Sequence, residues 1–264
     1  MGRLIRYELR KLFSSKLLYI ITAIFTTRTV LQAIVLAFIE NSSISMLVNS
    51  SLYGFFALYV LFLGAWIAPT FISPDYSSGG ILPNVVSRGY SRIQVFLAKY
   101  ISLIVFHVFA FVVSFAIGII VGLPLVRDMS GTVMNSMQLD RLLKMFIACF
   151  ATLSLQVLFS VACRIKSAVF FSILSTNPFL ALIVCFLPFF SPNGRFIPWL
   201  SKFIMDWYVP FAYIKVIISN AFEQIGASSV IKVDFSYLVI SSIIMFALSF
   251  GGSIWVVSRK EISK

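Results

Sequence analysis

The chain has 264 residues, of which 60% are hydrophobic and 11% charged, and its formal net charge is +12. Soluble domains carry roughly 45–50% apolar and about 25% charged residues, so a single water-facing core is excluded and an integral membrane protein is expected. The surplus of Lys and Arg reads as loop charge facing an anionic leaflet, worth about 1 kcal/mol each near the surface, rather than as a nucleic-acid footprint.

At the N-terminus, the stretch MGRLIRYELRKLFSSKLL precedes the first apolar run. At about 100° per residue, Ile5, Leu9, Leu12 and Phe13 fall on one side, Arg3, Arg6 and Arg10 on the other, and Lys11 at the edge. That pattern predicts an amphipathic helix over 1–16 lying in the membrane interface. No small-residue cleavage site follows, so the first apolar run is expected to stay in the membrane.

Apolar windows then predict six spanning helices: Leu17–Ile39, Leu52–Ser73, Ile101–Gly122, Leu142–Cys163, Ala168–Phe190 and Tyr237–Val257. The expected fold is an all-α polytopic membrane protein with one transmembrane domain over 1–264. Basic residues decide its orientation. Arg3, Arg6, Arg10, Lys11, Lys16, Arg88, Arg92, Lys99, Arg164, Lys166, Arg259, Lys260 and Lys264 lie on one side of these windows, thirteen against the seven of the opposite side. The positive-inside rule puts both termini and the 74–100 stretch in the cytoplasm.

Inside the first window Arg28 lies 12 residues from both Lys16 and Glu40, about 18 Å along a helix and therefore near the bilayer centre. A charge there costs about 2.5–3.5 kcal/mol on insertion scales, so Arg28 is expected at a protein interior, a dimer interface or a translocation path. Gln156 in the fourth window and Asn177 in the fifth are weaker candidates of the same kind, since amides join helices and Asn177 precedes a kinking proline. Segment 191–236 is apolar and aromatic, broken by Pro198 and Pro210. Its pieces are too short to span twice, which predicts external interfacial or re-entrant helices, with one extra span over 203–222 as the rival reading.

The stretch Pro74–Tyr100 departs most from its surroundings. It contains Gly79, Gly80, Pro83 and Gly89, and then Arg88, Arg92 and Lys99. Ser91 is a candidate N-cap for the third span, and Gly89 predicts a bend. The residues Asp75, Gly79, Gly80, Ser87-Arg88-Gly89, Ser91-Arg92 and Lys99, together with the basic N-terminal helix and six windows, resemble the permease subunits of type-2 ATP-binding-cassette (ABC) exporters. That family more often has Glu at the acidic position and Thr after the first Gly, so Asp75 and Gly80 depart from it. The resemblance implies that 74–100 is a coupling loop on a separate ABC ATPase subunit, with Asp75, Gly79, Gly80, Arg88, Arg92 and Lys99 at or near that contact. It also implies a second permease copy or a paralogue as partner, membrane lipid around both, and residence in a bacterial cytoplasmic membrane.

The chain has no phosphate-cradling GxxxxGK[ST] loop, HExxH or GxSxG motif. ATP is therefore expected on the partner subunit, with no cofactor, metal, nucleic acid or chemistry on this chain. Its three cysteines lack ligand or disulfide spacing, and His107 stands among Phe and Val. The expected function is export of an amphipathic or hydrophobic substrate such as a peptide, lipid-like molecule or drug. The alternative is an ATP-independent transporter or a non-transport immunity or scaffold protein. Ion-coupled transporters place Asp or Glu inside spans, whereas the nine acidic residues here fall at or beyond the window ends.

Overall fold

The computed structural model describes residues 1–38, 43–44, 46–48, 51, 64–76, 85–86, 88–126, 139–176, 203–204, 207–210, 212 and 235–259. Among them the chain is almost wholly helical, with no strand. The helices are α1 (Gly2–Phe13), α2 (Lys16–Ala37), α3 (Gly64–Tyr76), α4 (Arg92–Gly122), α5 (Leu139–Ala162), α6 (Ile165–Ser175) and α7 (Phe235–Arg259), with a 3-10 turn at Leu123–Leu125. Three segments are long and apolar enough to cross a membrane: Arg92–Leu125, Leu142–Ala162 and Ser236–Arg259. They coincide with the third, fourth and sixth windows and mark a membrane-embedded chain. Helix α2 occupies the first window, α3 the end of the second and α6 the start of the fifth. The rest of those two windows lies outside the described residues.

The chain groups into two compact units. The first comprises Met1–Tyr59 and Leu97–Leu143. Here α1 buries Leu4, Glu8 and Leu12, one residue per turn, and exposes Arg3, Arg6 and Arg10. Its C-terminus carries Arg10 and Lys11, which suit the negative end of the helix dipole. Ser14 and Ser15 turn their hydroxyls back to the carbonyls of Lys11 and Leu12, at 3.1 and 2.7 Å. Phe13 meets Phe109 of α4 edge-on, with ring centroids 5.3 Å apart. Close approach along α4 depends on two glycines. A Cβ at Gly118 would lie 3.1 Å from Ser51 Oγ and 3.6 Å from Thr29 Cβ, and one at Gly122 would run into the Leu47 side chain.

The second unit comprises Val60–Phe96 and Lys144–Lys264. Helix α3 packs against α6 and contains Pro69 and Pro74. Each proline removes a backbone donor, a defect that membrane helices tolerate when neighbours re-satisfy the freed groups. Thr70 Oγ1 donates to the Trp66 carbonyl at 2.8 Å, and Ser73 Oγ reaches across to the Ser160 carbonyl of α5 at 2.7 Å. Gly252 of α7 faces Leu158 of α5, and Phe250 of α7 lies 5.9 Å from Phe96.

Buried hydroxyls recur in these helices and bond backwards along their own chain. Thr152, Ser154 and Ser160 donate to the carbonyls of Ala148, Phe150 and Gln156; Ser242 and Ser253 donate to those of Leu238 and Ser249. This i−4 bonding lets a polar side chain enter an apolar interior without a lone donor. Inserting volume at the tight α4 contact has a defined expected effect. Gly122→Val should lower the detergent-solubilised protein's stability by about 1–3 kcal/mol, read as a lower thermal unfolding midpoint. Adding Leu47→Ala should recover part of the loss.

Candidate functional site

The polar stretch after the second window is built differently from the loop expected over 74–100. Pro74, Asp75 and Tyr76 complete α3, and residues from Arg92 onward are helix. Between them, residues 85–86 and 88–91 are described. The Arg88–Gly89 turn closes through Arg88 N–H to the Val85 carbonyl and Gly89 N–H to the Val86 carbonyl. Gly89 has φ +89° and nothing within 4 Å of a would-be Cβ, so backbone handedness, not space, selects glycine. Ser91 then caps α4 as its sequence position predicts. Gln94 N–H donates to Ser91 Oγ at 3.2 Å, and Ser91 N–H donates to Gln94 Oε1 at 2.9 Å, a reciprocal capping box.

Helix α4 continues for 31 residues, about 46 Å, against a hydrocarbon layer of about 30 Å. Its first turns therefore extend beyond an apolar layer that the sequence starts at Ile101. Lys99, expected in the loop, lies in this extension and is 1% exposed. Its Nζ donates to Glu8 Oε2 of α1 at 2.9 Å, and both side chains are buried. A buried pair of this kind holds because each charge is compensated by the other; removing one partner strands a charge in a dry environment.

Glu8 is the residue that sequence reasoning missed. The available signal was its position, one turn from both Leu4 and Leu12 on the buried line of an amphipathic helix. An acid on an apolar face calls for a buried cation.

The other candidate residues are dispersed. Asp75 is buried at 5% exposure, Arg88 is exposed and Arg92 half-buried. Arg3, Arg6 and Arg10 line the exposed face of α1, and Lys11 is half-buried beside it. Gln156 is fully buried in α5. Gly79, Gly80 and Asn177 lie outside the described residues. Arg28 is half-buried on α2, and its Nη1 is buried with no hydrogen-bond partner among the described residues. His107 directs Nδ1 to the Leu103 carbonyl of its own helix, the packing role expected for a lone histidine. No group of three His, Cys, Asp or Glu side chains suited to a metal occurs among the described residues.

Within the second unit, α5, α7 and the Trp207–Tyr208 turn line an open groove of about 420 Å³ that includes Leu155, Leu158, Trp207, Tyr208, Ile244 and Leu248. Tyr208 donates to the Ser175 carbonyl at the end of α6 at 2.9 Å, and Trp207 contacts Tyr237 at 5.5 Å between centroids. Burial raises the Tyr208 phenol to about 12, with the Ser175 side chain acting in the opposite direction, so it remains a donor at neutral pH. Trp207 and Tyr208 belong to the 191–236 segment, whose remaining residues lie mostly outside those described.

No family model, curated protein or solved structure matches this chain. Its function is therefore argued from its own residues. The buried pair gives a direct test. Glu8→Gln or Lys99→Met alone should cost about 3–5 kcal/mol, read as a large fall in the unfolding midpoint in detergent. The double change Glu8→Leu/Lys99→Met should return close to the starting value, since no charge is left stranded.

Proposed function

We propose that this chain is the membrane-spanning subunit of an ABC exporter, driven by ATP hydrolysis on a separate soluble subunit that binds at the polar stretch before α4. One observation carries the reading. An exposed, glycine-shaped turn bearing Arg88 is followed at once by a capped helix of 31 residues. A rigid element that begins at such a turn and continues through an apolar window can transmit movement of a docked partner to the membrane interior.

In this reading six helices cross the membrane, both termini and the Arg88 turn face the cytoplasm, and α1 lies along the cytoplasmic interface. The basic face of Arg3, Arg6 and Arg10 would meet anionic headgroups. Trp255 and Arg259 at the end of α7, 5.2 Å apart in a cation–π contact, suit an interfacial position at the same surface. Pairing with a second copy or a paralogue would complete a central path.

The resemblance of Asp75, Ser87-Arg88-Gly89, Ser91-Arg92 and Lys99 to type-2 permeases supports the choice of an ABC partner. The burial of Asp75 and Lys99 alters their assignment: they would hold the structure behind the contact, and Arg88 would make it. Arg92 would sit at its edge. Acidic residues at the window ends, rather than within them, weigh against ion coupling.

The test is affinity purification of the tagged chain from its own membrane in mild detergent. A soluble ATPase should co-purify in stoichiometric amount. Arg88→Glu/Arg92→Glu should reduce its recovery at least about tenfold, as expected when interface cations are replaced by anions, with the permease unfolding midpoint little changed. Transport that continues on an ion gradient with no ATPase bound would refute the proposal.

A further inference from the structure

Arg28 is the remaining group that neither the fold nor the coupling contact uses. It is the thirteenth residue of the 22-residue helix α2, so it lies close to the middle of an apolar element. The exposed residues of α2, including Tyr19, Ile20, Ile24, Leu31, Ile34 and Val35, form one outward apolar face. Thr29 lies on the opposite, buried side. By helical position Arg28 falls at the border between the two, one turn from Ile24 and from Leu31. Its half-burial agrees with that position.

The guanidinium is a fork of five donors that cannot discard its charge. At this depth neither water nor a headgroup is at hand to satisfy it. Its own surroundings do not do so: Nη1 is buried without a partner among the described residues. The neighbouring hydroxyl of Thr29 is committed to the Thr26 carbonyl at 2.9 Å. Nearby, α4 approaches through Gly118, which brings only small groups, Ser51 and Thr29, to the contact.

Among the described residues no acidic side chain pairs with Arg28: Glu8 is engaged by Lys99, and Asp75 belongs to the second unit. An anion from outside the chain would complete the guanidinium.

We infer that Arg28 receives the acidic group of a mobile anionic amphiphile, with the apolar body of that molecule against the outward face of α2. This rests on the exporter reading and deepens it, because it names the class of cargo: a carboxylate or phosphate carried on a hydrocarbon or similarly apolar body. Arg favours such groups because its fork matches two acceptor oxygens at once. No chemical step is involved; recognition is a charge-assisted hydrogen bond made in a dry environment, where it is stronger than in water.

The experiment is binding to the purified full-length chain in nanodiscs of neutral phosphatidylcholine, with spin-labelled stearic acid as probe and its methyl ester as the uncharged control. The acid should bind about tenfold more tightly than the ester, the scale of one hydrogen bond to a charged group. Arg28→Gln should bring the acid down to the level of the ester, and Arg28→Lys should keep part of the preference. Unfolding midpoints of both variants verify that they are folded, and Arg28→Gln is expected to insert at least as well as the parent.

Equal binding of acid and ester, or a preference that survives in Arg28→Gln, overturns the inference. Displacement of the acid by phosphatidylglycerol in the disc, at the fraction found in membranes, also overturns it by assigning the position to resident lipid. The assay contains no ATPase. Its failure therefore leaves the exporter reading intact, and loss of the ATPase partner in the purification test leaves this binding result intact.

Discussion

The Lys99–Glu8 pair is the contact on which the N-terminal part of the structure depends. It joins residues 91 positions apart and does so with two formal charges removed from water. Such a pair is poor at adding net stability, because desolvation offsets most of the attraction. Its force lies in the penalty for separation. Helix α1 cannot leave α4 without stranding Glu8 or Lys99, whereas a purely apolar face could slide or exchange its contacts with lipid. The Phe13–Phe109 contact adds area, but the ion pair selects the register.

The same logic of satisfied polar groups runs through the second unit. Serine and threonine appear at buried positions of α5 and α7 where a soluble protein would place Ala or Val. Thr152, Ser154, Ser160, Ser242 and Ser253 accommodate themselves by donating to a carbonyl one turn back, and Ser73 uses its hydroxyl to connect α3 with α5. The helices can therefore pack closely through small side chains. Packing of small residues is the main source of helix association where lipid is as apolar as the protein. Arg28 differs in kind, because the donor it leaves buried without a partner among the described residues, Nη1, carries a formal charge.

Much of this was legible in the sequence. Hydropathy located α4, α5 and α7, because a long apolar run has few alternatives to a helix. Ser91 was legible as a cap because a hydroxyl followed three residues later by Gln94 is a local signal. The amphipathic pattern of α1 was legible too, though its buried line proved to be Leu4–Glu8–Leu12. What was not legible depends on tertiary pairing. Hydropathy marks where an apolar layer begins, at Ile101, and not where a helix does; α4 starts at Arg92, beside the cap expected at Ser91. Lys99 accordingly looked like loop charge until α1 supplied its partner. The roles of Asp75 and Lys99 changed for the same reason: burial is a property of the fold, and a charge motif carries no record of it.

In the proposed reading, the glycine turn and the long capped helix that follows it receive force from a soluble partner. The measurement that tests this most directly is photo-crosslinking in intact cells, with benzoylphenylalanine in place of Arg88. The account predicts a crosslink to a soluble protein carrying a phosphate-cradling GxxxxGK[ST] loop, and none when the same probe replaces Ile120, an exposed apolar residue of α4. Crosslinks from position 88 only to lipid, or only to this chain itself, would contradict it.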